Sequence, residues 1–265
     1  MAFTEDLLLP SRGIIYDKAD FDGVVKVKPF TTKAYKDLLT GNASDNALKQ
    51  FIDSCLVDCP VKAKNMNQND LLACLFKVRA ITLGSNLRLS ITCPECGKKE
   101  DVVWDLTDTN VDYLYADEYP VKVTLPISNK EIKVRFPTGA DVAKAKAEAD
   151  RRAAKFNLQP AEFLQIYTIV ALLDVDGKDL IEKAEWYEGL NPGDAIYIDE
   201  VISEMNESFG VKMIRTHKCT ACDHSFEKAV DIGSDFFRPY SVKSLGLKGK
   251  TGSLAGIAEK SNLPS

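Results

Sequence analysis

Residues 93–106 read CPECGKKEDVVWDL, and residues 219–232 read CTACDHSFEKAVDI. Each stretch runs Cys-x-x-Cys, then eight residues, then Asp followed by Leu or Ile, so that Asp105 and Asp231 fall at the same offset. Each cysteine pair is preceded by strand-like sequence, at 87–91 and at 211–215, and is followed by a second candidate strand. The spacing predicts a thiol-bearing knuckle at the tip of a β-hairpin, present twice in one chain. A Cys-x-x-Cys turn lets two thiolates converge on one ion while backbone N–H groups stabilise their charge. The residue after the second cysteine needs a positive φ. Gly97 adopts it freely, and Asp223 is one of the few other residue types that tolerate it.

Two such knuckles facing one another place four sulfurs in a tetrahedron, the closed geometry of structural zinc. Cys93, Cys96, Cys219 and Cys222 are therefore the expected ligands. The 122 residues from Gly97 to Lys218 are far more than a compact ribbon places between its pairs. An inserted module is acceptable because closure entropy grows only logarithmically with loop length. Two unrelated thiol pairs are the plainer alternative. A redox pair would sit at a helix N-terminus rather than between strands, and an iron–sulfur cluster is a lesser option for four thiolates. His217 and His224 flank the second knuckle as reserve ligands, or simply as solvated side chains. A site with all four positions filled by cysteine cannot activate water, so it points to architecture and not to catalysis.

Outward from the knuckles, the reading is α+β: an N-terminal helical region, a split four-cysteine zinc ribbon built from two CxxC hairpins, and an inserted module of one hairpin plus helices. Residues 1–30 read as an extended segment, with breakers at Pro10, Gly13, Gly23 and Pro29. Residues 31–85 read as helical, with Thr31 or Thr32 capping one helix, Asp45 capping a second that runs through Cys59 to Pro60, and Asn67 preceding a third that Gly84 closes. The first ribbon half spans 86–118. The inserted module spans 119–210, with a hairpin turning at Ser128-Asn129-Lys130, then helices opened by Thr138-Gly139-Ala140-Asp141, after Pro160, and at about 178–188 and 193–208. The second ribbon half spans 211–239. Residues 240–265 read as a basic flexible arm, with Leu245, Leu247, Leu254, Ile257 and Leu263 available to a partner. Cys55, Cys59 and Cys74 lie in apolar helical stripes, where free cysteine packs as a small hydrophobe.

Composition narrows the function. The 265 residues are 45% hydrophobic and 28% charged, which excludes a disordered chain. The formal net charge of −5 lowers the expectation of nucleic-acid binding. The basic residues Lys144, Lys146, Arg151, Arg152 and Lys155 are offset by Asp141, Glu148 and Asp150, and read as a solvated helix face. The most apolar window, 163–175, contains Gln165 and Thr168, whereas a bilayer span needs about 20 apolar residues. The N-terminal sequence MAFTEDLLLPSRG lacks the basic start of a secretory signal. Both histidines lie at or beside the second knuckle, no Gly-rich phosphate loop is present, and Asp174-x-Asp176-Gly177 lacks the later ligands of a calcium loop. The expectation is a non-enzyme.

The start of the chain carries a resemblance. Leu9-Pro10-Ser11-Arg12-Gly13, then Tyr16, a strand ending near Lys28-Pro29, helices opening at Thr31 or Thr32, the stretch from Asp70 to Gly84 with Leu71-Leu72 and Arg79, and the first cysteine hairpin together resemble the T4-type phage baseplate hub family. That family includes a minor hub subunit and a hub assembly factor of contractile-tailed phages. The likeness covers roughly residues 7–106. It implies a virion structural protein of the tail baseplate, assembled in the host cytoplasm. Hub, spike, tube or tape-measure proteins would be its partners, in several copies around the tail axis. It also implies that Pro10, Ser11, Arg12 and Gly13 form a docking turn, with the planar fork of Arg12 offered to a carboxylate or carbonyl. The competing readings are a zinc-ribbon nucleic-acid-binding or regulatory protein, and an assembly factor that leaves before the virion is complete.

Overall fold

The computed structural model describes residues 3–237 apart from 17, 19, 41–43, 231 and 233. Asp231 and the basic arm at 240–265 lie outside the described residues. The architecture is mixed α+β, with small antiparallel sheets and two hydrophobic cores.

The first core begins with β1 (Glu5–Leu8) and β2 (Val24–Val27), paired so that Leu7 faces Val25. Helix α1 (Thr32–Thr40) starts where Thr31 Oγ1 accepts the Ala34 N–H at 3.2 Å. Helix α2 (Asp45–Cys55) is capped by Ser44, whose hydroxyl accepts the Ala47 N–H, and not by Asp45. Asp45 lies instead in the first turn, where its charge suits the helix dipole. This helix stops at Cys55, short of the expected Pro60, because Leu56 and Val57 leave it as strand β3 (Leu56–Val57) to pair with Val27 and Lys26. Cys59 thus lies beyond the helix, donating its thiol to the Val61 carbonyl. Helix α3 (Gln68–Leu83) is capped by Asn67 and closed by Gly84, as its sequence indicates. It crosses the centre of this core, burying Cys74, Leu75, Phe76 and Val78 beside Ile52 and Cys55.

Strands β4 (Asn86–Thr92) and β5 (Lys99–Asp105) form the first cysteine hairpin. Strand β6 (Val111–Asp112) then leads into the second core. Here β7 (Val121–Thr124) and β8 (Glu131–Val134) make a hairpin. Helix α4 (Gly139–Phe156) opens with a reciprocal capping box between Thr138 and Asp141, and presents a stripe of Ala145, Ala149 and Ala153. The small side chains let α5 (Ala161–Ala171) lie close along it. Strand β9 (Leu173–Asp174) pairs with the free side of β8. Helices α6 (Leu180–Glu188) and α7 (Pro192–Ser208) complete the layer, enclosing Phe136, Tyr167, Val170, Ile198 and Phe209.

The chain returns through β10 (Gly210–Val211), which pairs with β6 and brings the two ends of this second unit together. Strands β11 (Ile214–Lys218) and β12 (Ser225–Ala229) form the second cysteine hairpin. The last described residues close the first core. Phe236 packs on Phe76, Phe237 stands edge-on to Phe51, and both are buried. Arg79, fully buried in α3, donates to the carbonyls of Phe236, Asn86 and Gly84, and so holds this return.

Candidate metal centre

The two hairpins have the same local geometry. In each, the outermost strand pair, Thr92 with Lys99 and Lys218 with Ser225, encloses a six-residue knuckle. Cys93 N–H donates to the Lys98 carbonyl at 2.9 Å and Gly97 N–H to the Cys93 carbonyl at 3.0 Å. Cys219 N–H donates to the His224 carbonyl at 2.9 Å and Asp223 N–H to the Cys219 carbonyl at 3.0 Å. Gly97 has φ 69° and Asp223 φ 59°, the left-handed conformation that the repeat demands at both positions.

The knuckles face one another. Cys93 Sγ lies 3.7 Å from Cys222 Sγ, and Cys96 Sγ 3.6 Å from Cys219 Sγ. All four sulfurs fall within 4.8 Å of one another. A disulfide would require about 2.05 Å. A regular tetrahedron with metal–sulfur bonds of about 2.3 Å has edges of about 3.8 Å, so the observed separations suit one tetrahedral ion. Cys93 and Cys219 are buried and Cys96 and Cys222 form the exposed rim. The backbone N–H groups of Cys96 and Glu95 pull the Cys93 thiol down to about 7, with neighbouring thiols assisting. At Cys222 the His224 backbone N–H acts in the same direction, but loss of solvent and the other three sulfurs outweigh it and push this thiol up to about 12. Four sulfurs this close cannot all carry charge alone; a cation is what allows them to do so.

A polar network joins the hairpins beside the sulfurs. Glu100 on β5 accepts from His217 Nε2 at 3.0 Å, from the Thr220 N–H at 3.2 Å and from the Thr220 hydroxyl. The Thr220 hydroxyl and the His217 ring hold the Glu100 carboxyl down to about 2. Lys98 Nζ bridges the Thr220 hydroxyl at 2.8 Å and Glu100 at 3.3 Å. Because His217 Nε2 is committed to Glu100, the ring is oriented as a strut and not as a reserve ligand. His224 stacks on Phe226. Arg215 adds a second tie, donating to the Asp105 carbonyl at 2.7 Å and to Thr109 Oγ1 at 2.8 Å while lying over Trp104. None of the ties between the two hairpins could be read from spacing, since their partners lie more than a hundred residues apart in sequence.

The other expected site residues lie elsewhere. Pro10, Ser11 and Gly13 are buried, and only Arg12 is exposed, its guanidinium 5.2 Å above the Tyr115 ring. Ser11 donates its N–H and its hydroxyl to the buried Asp70 carboxylate at 2.9 and 2.6 Å. Tyr16 donates to the same carboxylate at 2.6 Å and accepts the Asn67 N–H at 2.9 Å. Asn67 Nδ2 reaches the Pro137 carbonyl at 2.7 Å, at the entrance to the second core. Most of this turn is thus an internal joint between the two units. Asp176 pairs with Lys130 at 2.7 Å in the turn after β9. On α4, Arg151 pairs with Glu148 while Arg152 lies over Phe156 and Phe163, which makes the face less purely solvated than its sequence suggests. No helix among the described residues is long and apolar enough to cross a membrane.

Comparison with known proteins adds one finding. A family model described as T4 bacteriophage base plate protein matches residues 11–238, most of the chain. Comparisons with curated proteins and with solved structures returned no match.

Proposed function

The chain belongs to the T4 bacteriophage base plate protein family, and from that premise we propose that it is a structural component of the hub region of a contractile phage tail, folded around a four-cysteine structural zinc ion. A baseplate structural role and a location in the virion tail follow from the family. The hub position, the zinc and the absence of an enzymatic activity are our reading. The observation that carries it is the meeting of Cys93, Cys96, Cys219 and Cys222 across two hairpins at separations suited to one tetrahedral ion. Zinc suits a set of four thiolates with no hard oxygen ligand. The closed set leaves no position for substrate or water, so the ion would stabilise the protein and not catalyse. Arg12, over Tyr115, is the residue of the Pro10–Gly13 turn that remains available to a neighbouring tail protein, by a bidentate contact to carboxylate or carbonyl.

Two measurements test this reading. Elemental analysis of the purified chain should give one zinc per molecule, lost in Cys219→Ser. A reconstruction of tail particles should show the chain in repeated copies next to the tube and spike. A chain that carries no metal, or that binds DNA with a steep salt dependence and is missing from the particle, refutes the proposal.

A further inference from the structure

We propose that Glu100 is the positioning residue of the metal centre: it fastens the second knuckle to the first through Thr220 and His217, so that the two halves of the site meet before an ion arrives. The inference rests on the metal reading above and extends it to residues that are not ligands.

The geometry carries the argument. Glu100 projects from β5, the outgoing strand of the first hairpin, and its bonds all reach the second hairpin or Lys98 beside it. Thr220 lies between the two cysteines of the second knuckle, so fixing its N–H and hydroxyl fixes the turn that aims Cys219 and Cys222. The Thr220 hydroxyl accepts from Lys98 and donates to Glu100, which uses both of its roles. His217 is held edge-on to Phe226, at 5.6 Å between ring centres, and that orientation directs Nε2 at Glu100.

The clasp is not a by-product of the repeat. The position in the second knuckle equivalent to Glu100 is Phe226, and the position equivalent to Lys98 is His224. The two hairpins share their cysteines and turn geometry, while the clasp runs one way, from the first to the second. A carboxylate near four thiolates is unfavourable unless it does something else, and Lys98 offsets part of its charge. Partners outside the ligand shell that orient a metal site typically contribute 10–100-fold to affinity.

The test uses the full-length chain stripped of metal. Zinc affinity is read by competition with a chromophoric chelator, and coordination by the thiolate-to-cobalt and ligand-field bands of the Co²⁺ form. Glu100→Ala should bind zinc roughly 10–100-fold more weakly with ligand-field bands unchanged in position. Glu100→Gln, which keeps an acceptor for Thr220, should fall between it and wild type. It also serves if the alanine variant does not fold, as judged by Trp104 and Trp186 fluorescence. Adding Thr220→Val to Glu100→Ala should cause little further loss, because both act through one contact. Affinity of Glu100→Ala within about twofold of wild type, or shifted ligand-field bands in that variant, overturns the proposal. A wild-type chain that binds neither zinc nor cobalt refutes the metal reading itself, and is a different result from a bound but indifferent Glu100 variant.

Discussion

Replacing Tyr16 by Phe removes one oxygen and tests how the two cores are joined. That oxygen accepts the Asn67 N–H at 2.9 Å and donates to Asp70 Oδ2 at 2.6 Å. The first is a neutral hydrogen bond, worth about 1 kcal/mol net, and the second runs to a carboxylate, worth about 1.5–3 kcal/mol. Asn67 is nearly inaccessible and Asp70 fully so, so water does not replace the lost partner. The expected cost is about 2–4 kcal/mol, with no cavity larger than the missing atom. The assay is urea unfolding followed by tryptophan fluorescence. The chain's two tryptophans report separately, Trp104 from the first core and Trp186 from the edge of the second. Single-tryptophan versions of the wild type should unfold in coincident transitions. Tyr16→Phe should lower the midpoint and separate them, because Asn67, freed from Tyr16, also anchors Pro137. Combined with Asp70→Asn, the two losses should fall short of additive by at least about 1 kcal/mol, as expected for groups in direct contact. A cost under about 0.5 kcal/mol, or strict additivity, would refute the claim that this network is the joint.

Three further outcomes are expected. Burial pushes the Asp70 carboxyl above its ordinary range despite three donors, so the native state keeps its proton at pH values where the unfolded chain has lost it. Stability should therefore fall as pH rises from the ordinary carboxylate range through the native value, and denaturant titrations across pH should show this slope disappear in Asp70→Asn. Gly139 has no room for a side chain, since a Cβ there would lie 1.9 Å from the Lys64 carbonyl oxygen. Gly139→Ala should cost about 1–3 kcal/mol or more by thermal unfolding, as for other overpacked sites. Arg79→Met would strand three carbonyls that share one guanidinium, at a cost of about 2–4 kcal/mol. Arg79→Lys should not rescue it in the same measurement, because an ammonium cannot span Phe236, Asn86 and Gly84.

What could be read from the sequence was what local chemistry dictates. The knuckles were legible because two thiols, a turn and a positive-φ residue recur at fixed offsets, and Gly97 and Asp223 have that conformation. The α4 start was legible because Thr138 and Asp141 carry the capping pattern. Ser44 and Asp45 are both competent caps in sequence, and only geometry separates them. The apolar rhythm of Leu56 to Cys59 extends the helical pattern of α2 by one turn in sequence, while pairing with β2 ends the helix at Cys55. Asp70 looks like an ordinary acid in a helix's first turn. Its role depends on Ser11 and Tyr16, more than fifty residues upstream, and no periodicity encodes such a partner. Glu100 sits in the polar run from Gly97 to Asp101, where nothing local marks it out, and its partners His217 and Thr220 follow the whole inserted unit.

The inserted unit bears on how strong the metal site must be. Taken as a free loop, 122 residues between the knuckles would make their meeting costly. The β6–β10 pairing changes that count. Val111 lies opposite Val211 and Asp112 opposite Gly210, while Lys212 donates its N–H to Asn110 and pairs with Asp112. Once this waist forms, the path between knuckles is about 25 residues, which reduces the closure cost by about 1.4 kcal/mol relative to the full loop. Arg215, at Asp105 and Thr109, and Glu100, at His217 and Thr220, then draw the hairpins together. The ion is in this view the last clasp of several and not the sole fastener. Removal of the metal should accordingly loosen the knuckles first and leave β6–β10 and the second core, reported by Trp186, folded. An apo protein in which Trp104 and Trp186 are lost together would show instead that the ion holds the entire return of the chain.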